Sequence, residues 1–180
     1  HLHVLYDVGF RRVSYGIQDL DEKVQRTINR VQPFENVERA TKEAREIGYT
    51  SINFDLIYGL PFQTPSTIAD TIQKVLLLRP DRIAYYSYAH VPWVKPGQRS
   101  YSKADLPADS EKRSLYEYGK CVLMQIGYED VGMDHFALPN DKLNIAAKIG
   151  RLNRNFMDRK STRLNSSHVA LDRSPSSACI

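Results

Sequence analysis

The sequence predicts an α/β fold in which parallel strands alternate with helices that cover the outer face of the sheet. Strand and helix patterns alternate along residues 1–157, and start and stop residues bracket the helices. Polar side chains fall at or near the predicted carboxyl ends of the strands. Strands joined by right-handed helical crossovers lie side by side. We therefore expect one parallel sheet whose chemistry lies beyond the carboxyl ends of its strands.

The chain opens with a helical pattern followed by a strand. Residues 1–9 repeat apolar side chains at helical spacing and end in glycine, which indicates a helix already under way where the sequence begins. In residues 11–19 apolar side chains alternate with small or polar ones, the period-two pattern of a strand. Either Asp19 or Asp21 can then cap a short helix.

Further strands and helices follow in alternation. Residues 36–49 predict a helix with one apolar face that stops at Gly48. Residues 51–59 form the next strand, and Thr64 and Pro65 begin the next helix as its cap and first position. A third strand, a longer helix and a fourth strand are predicted at residues 82–92, 108–126 and 128–136. The packing face predicted for the longer helix comprises Tyr116, Cys121, Leu123 and Ile126.

Residues 158–180 differ in character from the rest of the chain. They are rich in serine and lack hydrophobic periodicity, a composition typical of disorder. The eleven residues 158–168 also match the translation of a common short-read sequencing adapter. We predict that residues 158–180 are adapter read-through, neither native nor ordered, and that the domain comprises residues 1–157.

Composition narrows the function classes. No apolar run approaches the roughly 20 residues of a membrane span, and the sequence does not open as a signal peptide, so we expect a cytoplasmic protein without a membrane partner. Cys121 and Cys179 are too few for a disulfide framework and are not spaced as metal ligands. The first 157 residues hold 21 Lys and Arg against 19 Asp and Glu, intermixed, which indicates a solvated surface and no nucleic-acid partner.

Asp55 is unusual because it sits inside the apolar stretch "SINFDLIYG". Since neighbouring side chains of a strand point to opposite faces, Asp55 can face the mouth of the sheet while Phe54 and Leu56 pack against helices. Gln18 and the pair Ala89 and His90 also fall near strand ends. A carboxylate in this place can accept hydrogen bonds from a ligand hydroxyl or ammonium group. The alternative is an aspartate whose hydrogen bonds come from amides of its own loop.

Four segments carry a resemblance to a known family: "RRVSYGIQDLDEKVQRTINRVQP", "REIGYTSINFDLIYGLPFQTP", "LRPDRIAYYSYAHVP" and "GMDHFALPNDKL". Together they resemble the oxygen-independent coproporphyrinogen III oxidases, a branch of the radical S-adenosylmethionine (SAM) superfamily. The D-L-I-Y-G-L-P-x-Q-T stretch is shared across that superfamily, whereas "VQRTINRVQP", "YAHVP" and "GMDHFA" resemble the oxidase branch. The resemblance implies an open parallel (βα)6 barrel, of which this chain would form the second half.

The resemblance also implies an activity and its cofactors. Members of the family convert coproporphyrinogen III to protoporphyrinogen IX in anaerobic haem biosynthesis, turning two propionates into vinyl groups with loss of carbon dioxide. They use two SAM molecules, a [4Fe-4S] cluster held by three cysteines, an electron donor and a 5′-deoxyadenosyl radical. Two alternatives stay open: a haem-chaperone-like relative that binds haem without oxidase activity, and an unrelated (βα) enzyme with coincident strand ends.

Four residues match the family's contacts to the second SAM molecule: Gln18, Arg30, Asp55 and Ala89. Gln18 offers an acceptor and donors, Arg30 can bind a carboxylate bidentately, and Asp55 can accept from ribose hydroxyls or an ammonium group. Ala89 contributes backbone groups and permits close approach.

Other assignments stay open at the level of sequence. Composition alone would instead put Arg30 in a surface pair with Asp21 or Glu22. His90 and His135 could donate to a propionate or carry a proton, although a structural histidine is the commoner case. No catalytic residue is assigned.

The cluster motif C-x3-C-x2-C is absent from the sequence, and Cys121 alone cannot replace it. We expect the cluster ligands upstream of His1 and further native sequence after Met157. The chain is therefore predicted to be an internal fragment of a monomeric enzyme that acts on coproporphyrinogen III. The fragment on its own is predicted to be inactive.

Overall fold

The computed structural model describes residues 1–154, 169–171 and 178–179. Its helices are α1 (Leu2–Asp7), α2 (Glu22–Thr27), α3 (Phe34–Ile47), α4 (Pro65–Leu78), α5 (Asp109–Gln125) and α6 (Lys142–Lys148). Its strands are β1 (Arg12–Gln18), β2 (Ser51–Tyr58), β3 (Arg82–Ser87), β4 (Glu129–Gly132), β5 (His135–Ala137), β6 (Leu152–Arg154), β7 (Val169–Leu171) and β8 (Ala178–Cys179). Two short 3₁₀ helices, Pro96–Ser100 and Lys103–Asp105, lie between β3 and α5.

The predicted helix boundaries agree with local capping chemistry. Asp21, not Asp19, caps α2, because its carboxylate accepts from the Val24 amide at 3.0 Å. Gly48 ends α3 at a φ of 105°, in the left-handed region that glycine tolerates. Thr64 caps α4 with Pro65 in its first turn. These local signals fix where each helix begins or ends.

The main sheet has the strand order β1-β2-β3-β5-β4. The first three strands are parallel, as the alternation of strands and helices predicted. The last two are antiparallel to their neighbours, so the fourth strand predicted at residues 128–136 is wrong: it is a hairpin. Met133 and Asp134 both adopt positive φ in its tight turn, which reverses the chain without the Asn-Gly or Asp-Gly signature that would announce it.

One face of the sheet packs against the helices and forms the core. From β2, Ile52, Phe54 and Leu56 are fully buried on this face. The same cluster contains buried residues of the flanking elements: Ile17, Val37, Ala44, Ile68, Ile72, Val75, Ile83, Tyr85, Leu115, Leu123 and Phe136. The alternating residues of each strand lie on the opposite face, which we call the open face. The expectation that helices cover one side is confirmed.

The packing face of α5 differs from the predicted one. Leu115, Gly119 and Leu123 are its buried residues, whereas Cys121 and Ile126 are exposed. At Gly119 the helix lies directly against β3, because a glycine leaves room for the ring of Tyr85. The prediction considered only the spacing of large apolar residues and therefore left out Gly119.

A buried ion pair holds α6 against the amino ends of two strands. Arg82 Nε donates to Asp141 Oδ1 at 2.8 Å, and Ser51 Oγ donates to Asp141 Oδ2 at 3.3 Å. Asp141 also caps α6 through the Leu143 amide at 2.7 Å. Removing either member of a buried pair leaves an uncompensated charge, so these contacts fix the position of α6.

The carboxyl-terminal strands form a second, small sheet. Strand β7 pairs antiparallel with β6 and with β8. Strands β7 and β8 lie within residues 158–180, which were expected to be disordered, and the remainder of that segment lies outside the described residues. Its origin as adapter read-through stays a prediction. Within the described part of the chain, no helix combines the length and apolar character needed to cross a bilayer.

Replacing Gly119 by alanine should destabilise the protein. The new Cβ would lie 2.6 Å from the ring and hydroxyl of Tyr85, which is buried and donates to the Leu115 carbonyl at 3.0 Å. Alanine is the better helix former, so only this clash can reverse the sign. We expect G119A to lower the free energy of unfolding by about 1–3 kcal/mol in urea denaturation.

Gly97 provides the matched control for this substitution. A Cβ at Gly97 would meet no atom within 4 Å, so G97A should leave the free energy of unfolding nearly unchanged. A G119A variant as stable as the original chain would contradict the close packing of α5 on the sheet.

Candidate functional site

A row of four residues crosses the open face of the sheet. Strand pairing places Gly16 opposite Asp55, Asp55 opposite Ala84, and Ala84 opposite His135. Asp55 lies inside β2, three residues before its end at Tyr58. The two small residues flank Asp55, so larger neighbouring side chains can approach its carboxylate: the place of a Gly16 side chain is taken by Arg30 and Gln18, and Ala84 is fully buried.

Side chains of the strands themselves hold the Asp55 carboxylate. Asn53 Nδ2 donates to Asp55 Oδ1 at 2.7 Å, and Ser14 Oγ donates to Asp55 Oδ2 at 3.2 Å. The alternative that loop amides satisfy Asp55 is therefore wrong. Two carboxylate oxygens can accept about four hydrogen bonds, so Asp55 keeps capacity for a ligand. Among the described residues, the buried Asn53 Oδ1 has no hydrogen-bond partner.

Gln18 and Arg30 meet beside Gly16. Arg30 Nη2 donates to the Gly16 carbonyl at 2.8 Å. A Cβ built on Gly16 would lie 2.8 Å from Arg30 Nη2 and 3.0 Å from Gln18 Nε2, so only glycine leaves room for both side chains. Gln18 ends β1 at a φ of 67°, next to a register shift. The structure thus brings Gln18, Arg30 and Asp55 together around one glycine.

Ala89 lies at the same edge of the sheet but does not join that group. It follows the end of β3, and its carbonyl accepts from Gln98 Nε2 at 3.0 Å. His90 Nδ1 lies 3.2 Å from the Tyr88 hydroxyl, so this histidine contacts its own loop. Lys112 Nζ donates to the Tyr88 carbonyl at 2.6 Å and holds the start of the loop against α5. The backbone at Ala89 is therefore well positioned, whereas His90 has a structural partner.

His135 lies at the far end of the row in a half-buried position. Burial lowers its pKa, while the hydrogen bond to the Met133 carbonyl and the nearby carboxylates of Asp55 and Asp134 act in the opposite direction. The imidazole therefore sits on the same polar face as Asp55, whose negative charge raises the pKa of the ring.

Asp19 is a residue of the site that the sequence did not reveal. It is 1% exposed, and its carboxylate accepts from Gln63 Nε2, from Thr71 Oγ1 at 2.8 Å and from the Asp21 amide at 2.7 Å. Burial raises its pKa despite these hydrogen bonds, each of which lowers it. Because Asp19 follows Gln18 directly, this network fixes the end of β1. Its position before a helix made it resemble an ordinary cap.

The motif residue Gln63 joins the loop after β2 to this network. Its Oε1 accepts from the Leu60 amide at 2.8 Å, and its Nε2 donates to the Ile57 carbonyl at 2.8 Å as well as to Asp19. Gly59 and Phe62 adopt positive φ in the same loop. The D-L-I-Y-G-L-P-x-Q-T stretch therefore encodes a tight loop that is fastened to the end of β1.

The described residues do not fit a metal centre. No group of three or more His, Cys, Asp or Glu side chains among them could hold an ion. Cys121 is exposed on α5 with a free thiol. The three cysteines that a [4Fe-4S] cluster of the implied type requires are therefore not supplied by this part of the chain.

Sequence comparisons relate the chain to known proteins. Residues 1–75 match the model of the Radical SAM superfamily. The chain is 46% identical over 156 residues to the oxygen-independent coproporphyrinogen III oxidase of Helicobacter pylori strain J99, covering 87% of the chain and 34% of that relative. It is 47% identical over 148 residues to the Escherichia coli K12 oxidase, covering 82% of the chain and 32% of the relative. The chain thus spans about a third of the relatives' length.

A solved structure shows the same fold. The coproporphyrinogen III oxidase from Escherichia coli, described as a radical SAM enzyme, aligns with a TM-score of 0.81 at 45% sequence identity. The match covers 87% of this chain and 37% of that structure. The expected fold, a part of a radical SAM barrel with a parallel-strand sheet, is confirmed.

Replacing Asp19 by asparagine should destabilise the protein, because it disrupts the buried hydrogen bonds at the carboxyl edge of the sheet. The substitution keeps the shape but exchanges one acceptor oxygen for an N–H donor, although Gln63 and Thr71 both donate to this side chain. One donor would then face another in a buried place. We expect D19N to lower the free energy of unfolding by about 1–3 kcal/mol, measured by urea denaturation.

The control is D21N on the next acidic residue. Asparagine caps helices about as well as aspartate, so this variant should retain nearly full stability. Equal losses in D19N and D21N would show that Asp19 has no special role.

Proposed function

Given its similarity to the oxygen-independent coproporphyrinogen III oxidases over 87% of its length, we propose that this chain is part of such an enzyme. The parent protein would convert coproporphyrinogen III to protoporphyrinogen IX in haem biosynthesis by changing two propionates to vinyl groups. Within it, residues 1–157 would supply part of the radical SAM barrel. The matched length of 156 residues supports this boundary, since it nearly equals the segment before residue 158.

The observation that carries the proposal is the grouping of Gln18, Arg30 and Asp55 around Gly16. These side chains present a polar amide, a guanidinium and a carboxylate on one face, which suits a ligand with both acidic and basic groups. SAM is such a ligand, because its amino-acid part carries a carboxylate and an ammonium group and its ribose carries hydroxyls. The residues present therefore fit SAM.

Each residue has a distinct role in binding. The exposed Arg30 holds the Gly16 carbonyl with one nitrogen and keeps further donors for a ligand carboxylate. Asp55, fixed by Asn53 and Ser14, accepts from ribose hydroxyls or from the ammonium group. Gln18 supplies an amide beside them, and the backbone at Ala89 completes the site from the neighbouring strand end. We propose that the parent enzyme binds two SAM molecules and that this site holds the second.

The remaining cofactor chemistry would come from elsewhere in the parent protein. In the family, the [4Fe-4S] cluster and SAM supply a 5′-deoxyadenosyl radical, and this chain has two cysteines where the cluster needs three. We propose that the cluster ligands precede His1 and that a separate electron donor reduces the cluster. We further propose that the parent protein is monomeric and cytoplasmic and has no nucleic-acid or membrane partner.

The haem-chaperone alternative is not favoured by a particular observation. The relatives compared above bear the oxidase name. A chaperone would bind haem and leave propionates unchanged, so haem binding and product analysis of the parent protein separate the two functions.

We expect the chain to bind SAM and to lose affinity when the charged groups around Gly16 are removed. Arg30→Ala and Asp55→Ala each remove a charge-assisted hydrogen bond, worth about 1.5–3 kcal/mol, and should weaken binding about tenfold or more. Isothermal titration calorimetry with SAM measures the effect.

Two exposed residues serve as matched controls. Arg26 pairs with Glu22 on α2, and Asp70 lies on the outer surface of α4, so R26A and D70A should bind SAM like the original chain. Unchanged affinity in both R30A and D55A would contradict the proposed site.

The isolated chain should assemble no [4Fe-4S] cluster. Its two cysteines fall short of the three ligands needed, so anaerobic reconstitution with iron and sulfide should give no cluster signal in absorption or EPR spectra. The Escherichia coli relative, treated in parallel, is the positive control. A stable cluster signal from this chain would contradict the placement of the ligands outside it.

A further inference from the structure

The second candidate ligand site on the open face surrounds Ala84. This residue lies between Asp55 on one neighbouring strand and His135 on the other, and all three share one row. Adjacent strands are about 4.8 Å apart, so Asp55 and His135 stand roughly 10 Å from one another across the small Ala84 side chain. Tyr86, two residues along β3, faces the same side as Ala84. Ala84 itself is fully buried, and a carboxylate, an imidazole and a phenol surround it on this face.

The hydrogen bonds of His135 define its resting tautomer. Nδ1 lies 2.6 Å from the Met133 carbonyl, which can only accept, so Nδ1 carries the hydrogen. Nε2 lies 3.3 Å from the Tyr86 hydroxyl and therefore accepts from it in the neutral ring. The two rings meet edge to face at a centroid distance of 5.7 Å. The pair is held in place on both sides, with its polar atoms meeting at the open face.

We propose that His135 and Tyr86 bind a carboxylate group of the substrate, with His135 Nε2 and the Tyr86 hydroxyl as the two donors. The inference rests on the proposed function, because coproporphyrinogen III carries propionate side chains. On binding, His135 Nε2 takes up a proton and donates to the carboxylate, and the Tyr86 hydroxyl turns from the imidazole to the same ligand. Met133 continues to hold Nδ1, so the ring keeps its orientation.

The charges around His135 support a change of protonation on binding. Burial lowers the pKa of the imidazole, so the free protein favours the neutral ring. Asp55 from β2 and Asp134 from the turn oppose this effect, while Arg82 from β3 adds to it. Arg82 is already paired with Asp141 and does not offer its charge freely to a ligand. A bound carboxylate adjacent to Nε2 would therefore stabilise the imidazolium.

This protonation step predicts a pH dependence of binding with a definite sign. The imidazolium form is populated as pH falls through a pKa that lies below the ordinary value of 6.5. A carboxylate ligand binds that form more tightly, so affinity should rise as pH falls. A histidine with only a structural role would give no such dependence.

Fluorescence titration of the chain with coproporphyrin III, the stable oxidised form of the substrate, tests the inference. We expect binding about tenfold tighter at pH 5.5 than at pH 8, the size of one charge-assisted hydrogen bond. The tetraamide of the same porphyrin lacks carboxylates and should show no pH dependence. H135Q should abolish the dependence, and Y86F should weaken binding at both pH values.

Two controls match these variants. His3 is exposed on α1, so H3Q should preserve the pH dependence. Tyr15 lies on the helix-covered face, where its hydroxyl donates to the Ala40 carbonyl, so Y15F should bind coproporphyrin III normally. Circular dichroism shows whether each variant is folded. If H135Q does not fold, nitrogen NMR of the His135 ring in the original chain replaces it, and its pKa should rise by about one unit or more with coproporphyrin III.

The outcomes separate this inference from the proposed function. Binding of coproporphyrin III that is independent of pH and of His135 would overturn the inference and leave the SAM site intact. No binding of the porphyrin by the folded chain would also overturn it. If the original chain does not bind SAM but still binds the porphyrin in a pH-dependent way, the result would count against the proposed SAM site alone.

Discussion

The buried carboxylate of Asp19 is the constraint on which the carboxyl edge of the sheet depends. It joins the end of β1 to the loop after β2 through Gln63 and to α4 through Thr71. Its own carbonyl accepts from Gln25 of α2 at 2.9 Å. A buried acidic group is costly unless it is fully hydrogen-bonded, so these partners are fixed relative to one another. The left-handed end of β1 at Gln18 follows from this arrangement.

The two faces of the sheet have different roles: the helix-covered face forms the core, and the open face carries the polar groups of the candidate site. Large apolar residues such as Phe54 and Ile83 fill the helix-covered face. On the open face the small Gly16 and Ala84 flank Asp55, and Gly16 leaves the room that Arg30 and Gln18 occupy. Arg82 and Asp141 close the amino end of that open face by an ion pair. The group of Gln18, Arg30 and Asp55 lies toward the carboxyl edge, where ligands bind in parallel α/β sheets.

Local chemistry explains which elements the sequence could predict. Caps and stops at Asp21, Gly48 and Thr64 act within a few residues, so their signals survive without knowledge of the fold. The hairpin after α5 escaped prediction because its two turn residues, Met133 and Asp134, adopt positive φ without being glycine. The α5 face was misjudged because one of its buried positions is a glycine, Gly119. Asp19 was predicted only as a possible helix cap, because its burial and its distant partners Gln63 and Thr71 leave no pattern in the neighbouring sequence.

The sequence by itself determined the alternation of strands and helices and the resemblance to one family, and it predicted Gln18, Arg30, Asp55 and Ala89 as site residues. Only the tertiary structure decided which of them meet. Strand register aligns Gly16, Asp55, Ala84 and His135 in one row, although these positions are far apart along the chain. Register depends on the pairing between distant strands and on the packing of a whole face of the sheet. No single segment of the sequence contains either kind of information.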